Sequence, residues 1–183
     1  MMSELFSKLS NMENGDYVSK EQIVKDIKQS IESNNYSIIE IDDKKPWGAY
    51  FKIDNNEANR FVEEFFPGLS LSDARLGNDE AELSPKILLV SPEQRLSWQY
   101  HKRRAERWNF LTDGAYKNSL TDEESIKKIA KAGDSIQFSA EERHRLIGCT
   151  AMYTLVAEIW QHINSDNLSD EDDNCRIQDD YGR

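Results

Sequence analysis

The hydrophobic residues near the start of the chain repeat with the period of an α-helix. Ile23, Ile27 and Ile31 are four residues apart, and Ser19 followed by Gln22 forms a capping-box pattern. We therefore predict a helix from residue 19 to the asparagines at 34 and 35. The preceding residues, 1–18, are polar and irregular, and we expect no regular structure there.

Shorter segments follow this helix. Residues 36–41 and 50–53 are typical of short strands, and residues 59–66 predict a second helix that a Pro-Gly pair ends. The acidic stretch 70–84 is typical of a loop.

From residue 86 onward the pattern is one of short strands. Apolar or alternating segments are separated by turn signals such as Asp113-Gly114. The predicted strands are 86–90, 95–100, 106–111, 135–138, 145–148 and 151–160. This regular spacing of short strands and turns predicts a mostly β fold, an antiparallel sandwich or barrel.

The composition narrows the class of protein. The 183 residues are 38% hydrophobic and 10% aromatic, which favours one globular domain over a disordered chain. No apolar run approaches the length of a membrane span or a signal peptide, so we expect a soluble, cytoplasmic protein without a membrane partner. Cys149 and Cys175 match no metal-binding spacing, and we expect both to be reduced thiols.

The charge of the chain is strongly negative. The 34 acidic residues exceed the 23 basic ones and give a net charge of −11, which argues against nucleic acid as a partner. Basic residues nevertheless cluster around two histidines, so an anionic small molecule remains a candidate ligand. The cluster comprises Lys102, Arg103, Arg104, Arg107, Arg143 and Arg145.

Four residues have the chemistry of a metal site. Gln99 and His101 share one face of a predicted strand, Glu106 opens the next strand, and His144 begins a later one. Two imidazoles, a carboxylate and an amide oxygen suit zinc or another first-row divalent ion.

The residues around this set resemble a known family. Residues 95–108 are similar to the R-L-S-x-Q-x-H-x-x-R-A-E-x-W motif of the cupin superfamily, in the form found in type II mannose-6-phosphate isomerases. Three further blocks match in order: K-P-W-G at 45–48, the histidine and arginine at 144–145, and D-D-x-x-R-x-x-D-x-Y-G-R at 172–183.

The resemblance implies a cupin-type jelly-roll β-sandwich over residues 45–183, with residues 1–44 as an added helical extension. It also implies a metal-dependent aldose–ketose isomerase acting on a phosphorylated sugar such as mannose 6-phosphate. Gln99, His101, Glu106 and His144 would hold the divalent ion, with zinc as the first choice.

The remaining roles follow from the matched positions and the basic cluster. Arg145 and Glu158 are the candidate catalytic residues, Glu158 because a carboxylate is unusual in an apolar strand. Arg104, Lys102 and Arg176 are the candidate substrate-binding residues.

Three other functions stay open. The same chemistry could act on another sugar phosphate, such as a heptose phosphate. Basic residues replace several of the family's histidines near Glu106, which favours a non-catalytic cupin that holds a metal and binds a sugar or anion. An iron oxygenase is less favoured, because such sites usually contain more than two histidines.

The predicted strands and the family resemblance also lead to several structural expectations. If Gln99 points inward, Trp98 must point outward, and we expect the N-terminal helix or a second subunit of a homodimer to cover it. We expect His162 at the surface. Residues 176–183 should pack on the barrel through Tyr181, whereas residues 166–173 should be a solvated connector.

Overall fold

The computed structural model describes residues 4–12 and 19–183. The described helices are α1 (Glu4–Ser10), α2 (Lys20–Ser33), α3 (Ala58–Phe65) and α4 (Leu71–Ala74), with a 3-10 turn at Asn55–Glu57. None of them is long and apolar enough to cross a membrane.

The strands of the described chain form two antiparallel sheets. In chain order they are β1 (Ile38–Asp42), β2 (Gly48–Ile53), β3 (Lys86–Val90), β4 (Trp98–Tyr100), β5 (Arg104–Phe110), β6 (Gly114–Ser119), β7 (Lys128–Ala130), β8 (Ser135–Phe138), β9 (Arg143–Ile147), β10 (Thr154–His162) and β11 (Cys175–Gln178). The six-stranded sheet has the order β1-β2-β3-β10-β5-β8, and the five-stranded sheet the order β11-β4-β9-β6-β7.

The central strands of the six-stranded sheet are buried on both faces. In β3, Ile87 and Leu89 pack under the helices, while Leu88 and Val90 face the interior of the sandwich. Successive side chains of a strand point to opposite faces, so a strand with two covered faces has no polar alternation. Lys86 and Glu158 are polar residues that face the interior from this sheet, and they position the site described below.

The N-terminal helices cover the outer face of the six-stranded sheet. Ile23, Ile27 and Ile31 of α2 are buried in one cluster with Phe51 and Leu155. The predicted helix is therefore confirmed, and its apolar stripe packs on the sheet.

Helix α1 corrects the expectation that residues 1–18 are irregular. Leu5, Phe6 and Leu9 are buried in the apolar cluster between the N-terminal helices and the six-stranded sheet. The sequence did not predict this helix, because the apolar residues of so short a segment stand among polar ones. Residues 1–3 and 13–18 lie outside the described part of the chain. Strand β1 pairs with β2, so hydrogen bonds cross the proposed boundary at residue 44.

The cover over Trp98 differs from the expectation. Trp98 is 1% exposed, and its indole N–H donates to the Asp122 carbonyl at 2.7 Å, so a loop of the same chain covers it. The N-terminal helices lie instead on the six-stranded sheet, where they pack in one apolar cluster with Phe51 and Ile87.

The C-terminal end is ordered, as predicted. Strand β11 pairs with β4, and the Tyr181 hydroxyl lies 2.9 Å from Gln94 Oε1 and 3.0 Å from the Arg95 carbonyl oxygen. The expectation of a fully solvated connector before it is wrong at Asp173, which is 5% exposed. Its carboxylate accepts the backbone N–H groups of residues 102 and 103, each at 2.9 Å, and this explains its burial.

Candidate metal and substrate site

A cavity of about 360 Å³ lies between the two sheets, and the predicted site residues are distributed around it. Gln99 on β4 and Glu106 on β5 line it from opposite sheets. Arg104, Glu158 and Arg176 also line it, so five of the nine predicted site residues face one space.

Three of the four predicted metal ligands converge beside this cavity. His101 follows β4, Glu106 is on β5 and His144 is on β9. One ligand atom from each lies within 4.8 Å of the others, and all three side chains are buried. His101 Nε2 is 3.1 Å from Glu106 Oε1, and His144 Nε2 is 3.2 Å from Glu106 Oε2.

The hydrogen bonds of the two histidines determine which nitrogen faces the carboxylate. His101 Nδ1 lies 2.6 Å from the Asp173 carbonyl oxygen, and His144 Nδ1 lies 2.9 Å from that of Glu142. A carbonyl only accepts, so each Nδ1 carries its proton, and in a neutral ring Nε2 presents a lone pair to Glu106.

The pKa shifts favour this neutral form at His101. Burial lowers the pKa of His101 and outweighs the opposing effect of Glu106. Burial alone would raise the pKa of Glu106, but its interactions with His101, Arg104 and His144 are stronger in sum, so its pKa lies well below the usual value.

These donors fit a divalent metal ion. A lone pair on His144 Nε2 and an ionised Glu106 oxygen repel each other at 3.2 Å unless a proton or a cation lies between them. Backbone carbonyls orient both imidazoles, as is usual for histidine ligands of metals. His101, Glu106 and His144 could thus bind a metal, and their N and O atoms suit zinc among other first-row ions.

Gln99 lies beside the three-residue set. It is the cross-strand partner of His144, and its Oε1 accepts a hydrogen bond from the Ser97 hydroxyl at 2.5 Å. The structure thus places Gln99 on the same wall, and its role as a fourth ligand stays a prediction.

Arg104 is more enclosed than a residue that merely receives substrate. It is 4% exposed, its Nε donates to Glu106 Oε1 at 2.9 Å, and its guanidinium lies 3.7 Å from the Trp160 ring centre. Ser169 Oγ accepts from its Nη1 at 2.8 Å. Arg104 therefore neutralises and orients Glu106, and its contact with substrate stays a prediction.

Glu158 lines the same cavity and is buried. The indole N–H groups of Trp108 and Trp160 donate to its two oxygens, at 3.0 and 3.2 Å. Burial, followed by the negative charge of Glu106, raises the pKa of Glu158 to about 7. A carboxyl group with that pKa can take up and release a proton near neutral pH.

Lys86 is a cavity residue that the sequence reasoning missed. It is the cross-strand partner of Glu158, is 5% exposed, and lies 3.8 Å from the Trp160 ring centre. The sequence carries a signal for this placement. Lys86 alternates along the strand with Leu88 and Val90, so all three side chains point to the same inward face.

A segment of the tail, here called the strap and comprising residues 168–174, passes beside the cavity. Ser169 and Asp173 are buried, and Arg103 Nη2 donates to Asp170 at 2.6 Å. His162, expected at the surface, is 5% exposed, because its Nδ1 accepts the backbone N–H of Ser169 at 2.9 Å. The strap therefore supports both His101 and the basic turn.

Two predicted site residues lie elsewhere. Arg145 follows His144 on β9 and points to the opposite face, where its Nη1 donates to Glu124 at 2.6 Å. It does not line the cavity, so this placement gives no support to its catalytic assignment. Lys102 is exposed on the turn between β4 and β5 and does not line the cavity either.

Comparisons with known proteins show a fold and no closer relation. No family model and no curated protein sequence matches the chain. Among solved structures, the capsular polysaccharide assembling protein CapF from Staphylococcus aureus is 8% identical with a TM-score of 0.52 over 96% of this chain. This chain spans about half of CapF, at 47% of its length.

A second solved structure is the CENP-C cupin domain of Drosophila melanogaster, with 11% identity and a TM-score of 0.46 over 70% of this chain and 77% of that domain. At such identities similarity concerns the fold alone. The predicted fold class is confirmed in its architecture: the protein is mostly β, with two antiparallel sheets packed as a sandwich.

Proposed function

We propose that this protein is a metal-dependent aldose–ketose isomerase of phosphorylated sugars, similar to the type II mannose-6-phosphate isomerases. One observation carries the proposal: the buried His101, Glu106 and His144 set adjoins a cavity that also contains Glu158. An isomerase needs a group to polarise the carbonyl and a group to move a proton, and these residues can supply both.

A divalent ion held by His101, Glu106 and His144 would polarise the carbonyl and the adjacent hydroxyl of the sugar when bound. Glu158 in its ionised form would take the proton from C2 of the aldose. It would return that proton to C1, while the hydroxyl proton moves from O2 to O1 and the double bond shifts to C2. The two indoles that donate to Glu158 hold the carboxylate in place for both transfers.

Cations at the mouth of the cavity suit the phosphate. Lys86 and Arg176 line it. An anionic substrate could therefore be held locally although the protein has a net charge of −11.

The test is turnover on a panel of hexose and heptose phosphates, with protein purified without added metal and then supplied with zinc, manganese or iron. We expect isomerisation of at least one sugar phosphate and none of the corresponding free sugar. Glu158→Gln should abolish turnover while leaving bound metal unchanged. Isomerisation that survives in Glu158→Gln would reject Glu158 as the base.

A second candidate function is binding without turnover. Arg104 already donates to Glu106, and this favours a site in which the carboxylate is neutralised rather than free to act on a substrate. Binding of a sugar phosphate with no isomerisation by any metal-loaded form would select this alternative.

A further inference from the structure

The cavity mouth contains an ion pair that is separate from the three candidate metal ligands. Lys86 Nζ lies 3.0 Å from Glu171 Oε1, and Lys52 Nζ lies 3.7 Å from the same oxygen. Glu171 is on the strap, whereas both lysines are on the six-stranded sheet. The pair therefore joins the tail to the sheet across the opening.

The two partners differ sharply in exposure. The Lys86 side chain is 6% exposed, between Glu171 and the ring of Trp160, whereas the Glu171 side chain is 56% exposed. A buried ammonium requires a partner, because its desolvation is costly when it is unpaired. Glu171 can leave at much lower cost, because water can solvate it outside the cavity.

The strap can stay in place when Glu171 moves. Its anchors are Ser169 and Asp173, whose bonds to Arg104 and to the turn after β4 do not involve Glu171. Only the exposed side chain of Glu171 needs to rotate for the Lys86 ammonium to accept another anion.

We propose that the Glu171 carboxylate is an internal substitute for the substrate's phosphate, which must replace it on Lys86 to bind. The inference rests on the proposed function, since it names the contact that a phosphorylated sugar would make. Lys86, with Lys52 and Arg176 nearby, is the phosphate subsite, and Glu171 sets its affinity by competition. A phosphate dianion would be favoured over the carboxylate because it carries more charge and three acceptor oxygens.

The test is the affinity of the full chain for inorganic phosphate, measured by calorimetry at low salt with EDTA present so that no metal contributes. Glu171→Gln removes the competing charge and should tighten binding at least about threefold, the effect of an exposed ion pair of modest strength. Asp172→Asn removes the same charge from the neighbouring exposed residue and should change affinity less than twofold, by roughly the screened effect of a distant charge.

Equal effects of Glu171→Gln and Asp172→Asn would overturn the proposal, as would the absence of phosphate binding in all three proteins. Lys86→Met, which keeps the length of the buried side chain, should abolish phosphate binding, and retained affinity would also overturn the proposal. If Lys86→Met does not fold, the comparison of Glu171→Gln with Asp172→Asn decides alone. Tighter binding by Glu171→Gln without turnover of any sugar phosphate would reject the isomerase and leave the phosphate subsite standing.

Discussion

At the scale of single residues, the site depends on how each polar side chain is paired in the interior. His101 and His144 each donate Nδ1–H to a backbone carbonyl, so their Nε2 atoms can serve as ligands. Glu106 is paired with Arg104, whereas Glu158 accepts hydrogen bonds from two indole N–H groups and has a pKa of about 7. Two buried carboxylates in one cavity thus have opposite pKa shifts and different chemical roles.

The three candidate metal ligands lead to a prediction on metal affinity in a variant of His144. His144→Ala removes one of three converging ligands, so metal affinity should fall by at least about tenfold, since even supporting partners of ligands contribute that much. The measurement is metal content by mass spectrometry after dialysis against a graded chelator. His162→Asn, which changes a histidine outside the set and keeps a side-chain acceptor for the Ser169 backbone N–H, should retain the metal. Equal retention by both variants would contradict the proposed ligands.

Glu158 leads to a prediction on pH. Its pKa is raised to about 7 from an ordinary value of 4.5, so between these pH values the folded protein holds a proton that the unfolded chain has released. This contribution to the free energy of unfolding is therefore lost as pH rises through that range, and the loss levels off above pH 7. In Glu158→Gln the loss should disappear.

The measurement is urea unfolding of both metal-free proteins from pH 4.5 to 8.5. The stability of Glu158→Gln relative to the parent protein should rise with pH. A constant difference across this range would show that Glu158 does not hold a proton in the folded state.

At the scale of elements, the strap and strand β11 connect the tail to the site. β11 adds to the edge of the five-stranded sheet, and the Asp173 carbonyl and carboxylate bind His101 and the turn after β4. The family motif predicted that this end is ordered, while its acidic composition favoured a solvated tail. Composition misled at Asp173 because the partners of its carboxylate are backbone N–H groups, which leave no mark in the sequence.

Asp173→Ala tests the strap. It removes an acceptor for two backbone N–H groups and the Ser169 hydroxyl, so we expect a loss of about 1 to 3 kcal/mol in the free energy of unfolding. Metal affinity should fall as well, because the carbonyl that orients His101 loses its support. Urea unfolding and metal content are the measurements. Asp172→Ala, at an exposed neighbour, serves as the matched control and should change neither quantity.

At the scale of the whole molecule, the six-stranded sheet separates two apolar clusters. One lies under the N-terminal helices and includes Phe51 and Leu155, and the other fills the sandwich around Trp108 and Phe138. The cavity lies among the residues of the second, so the helices stabilise the sheet without contributing to the site.

Deleting residues 1–35 tests the role of these helices. The deletion uncovers the outer face of the six-stranded sheet, where Phe51, Ile87 and Leu155 are at most 1% exposed. We expect aggregation, or binding of a hydrophobic dye, because an apolar patch of several hundred Å² is rarely left bare. Gel filtration and dye fluorescence are the measurements. Ile27→Asp should reproduce the effect and Lys28→Asp should not, and a monodisperse truncated protein would contradict the assigned role of the helices.

The sequence by itself determined the fold class, helix α2, most strands and three metal-ligand candidates that the structure brings together. These depend on local period and on side-chain chemistry, both of which can be read along the chain. Strands β6 and β7 were not predicted because they are partly exposed and lack a regular alternation, as Ile129, an apolar residue at 64% exposure, illustrates. Only the tertiary structure decided that Lys86 joins Glu158 and that the strap supports His101. Each of these depends on strand pairing between distant segments, or on backbone groups as partners, and neither is recorded in the identity of a residue.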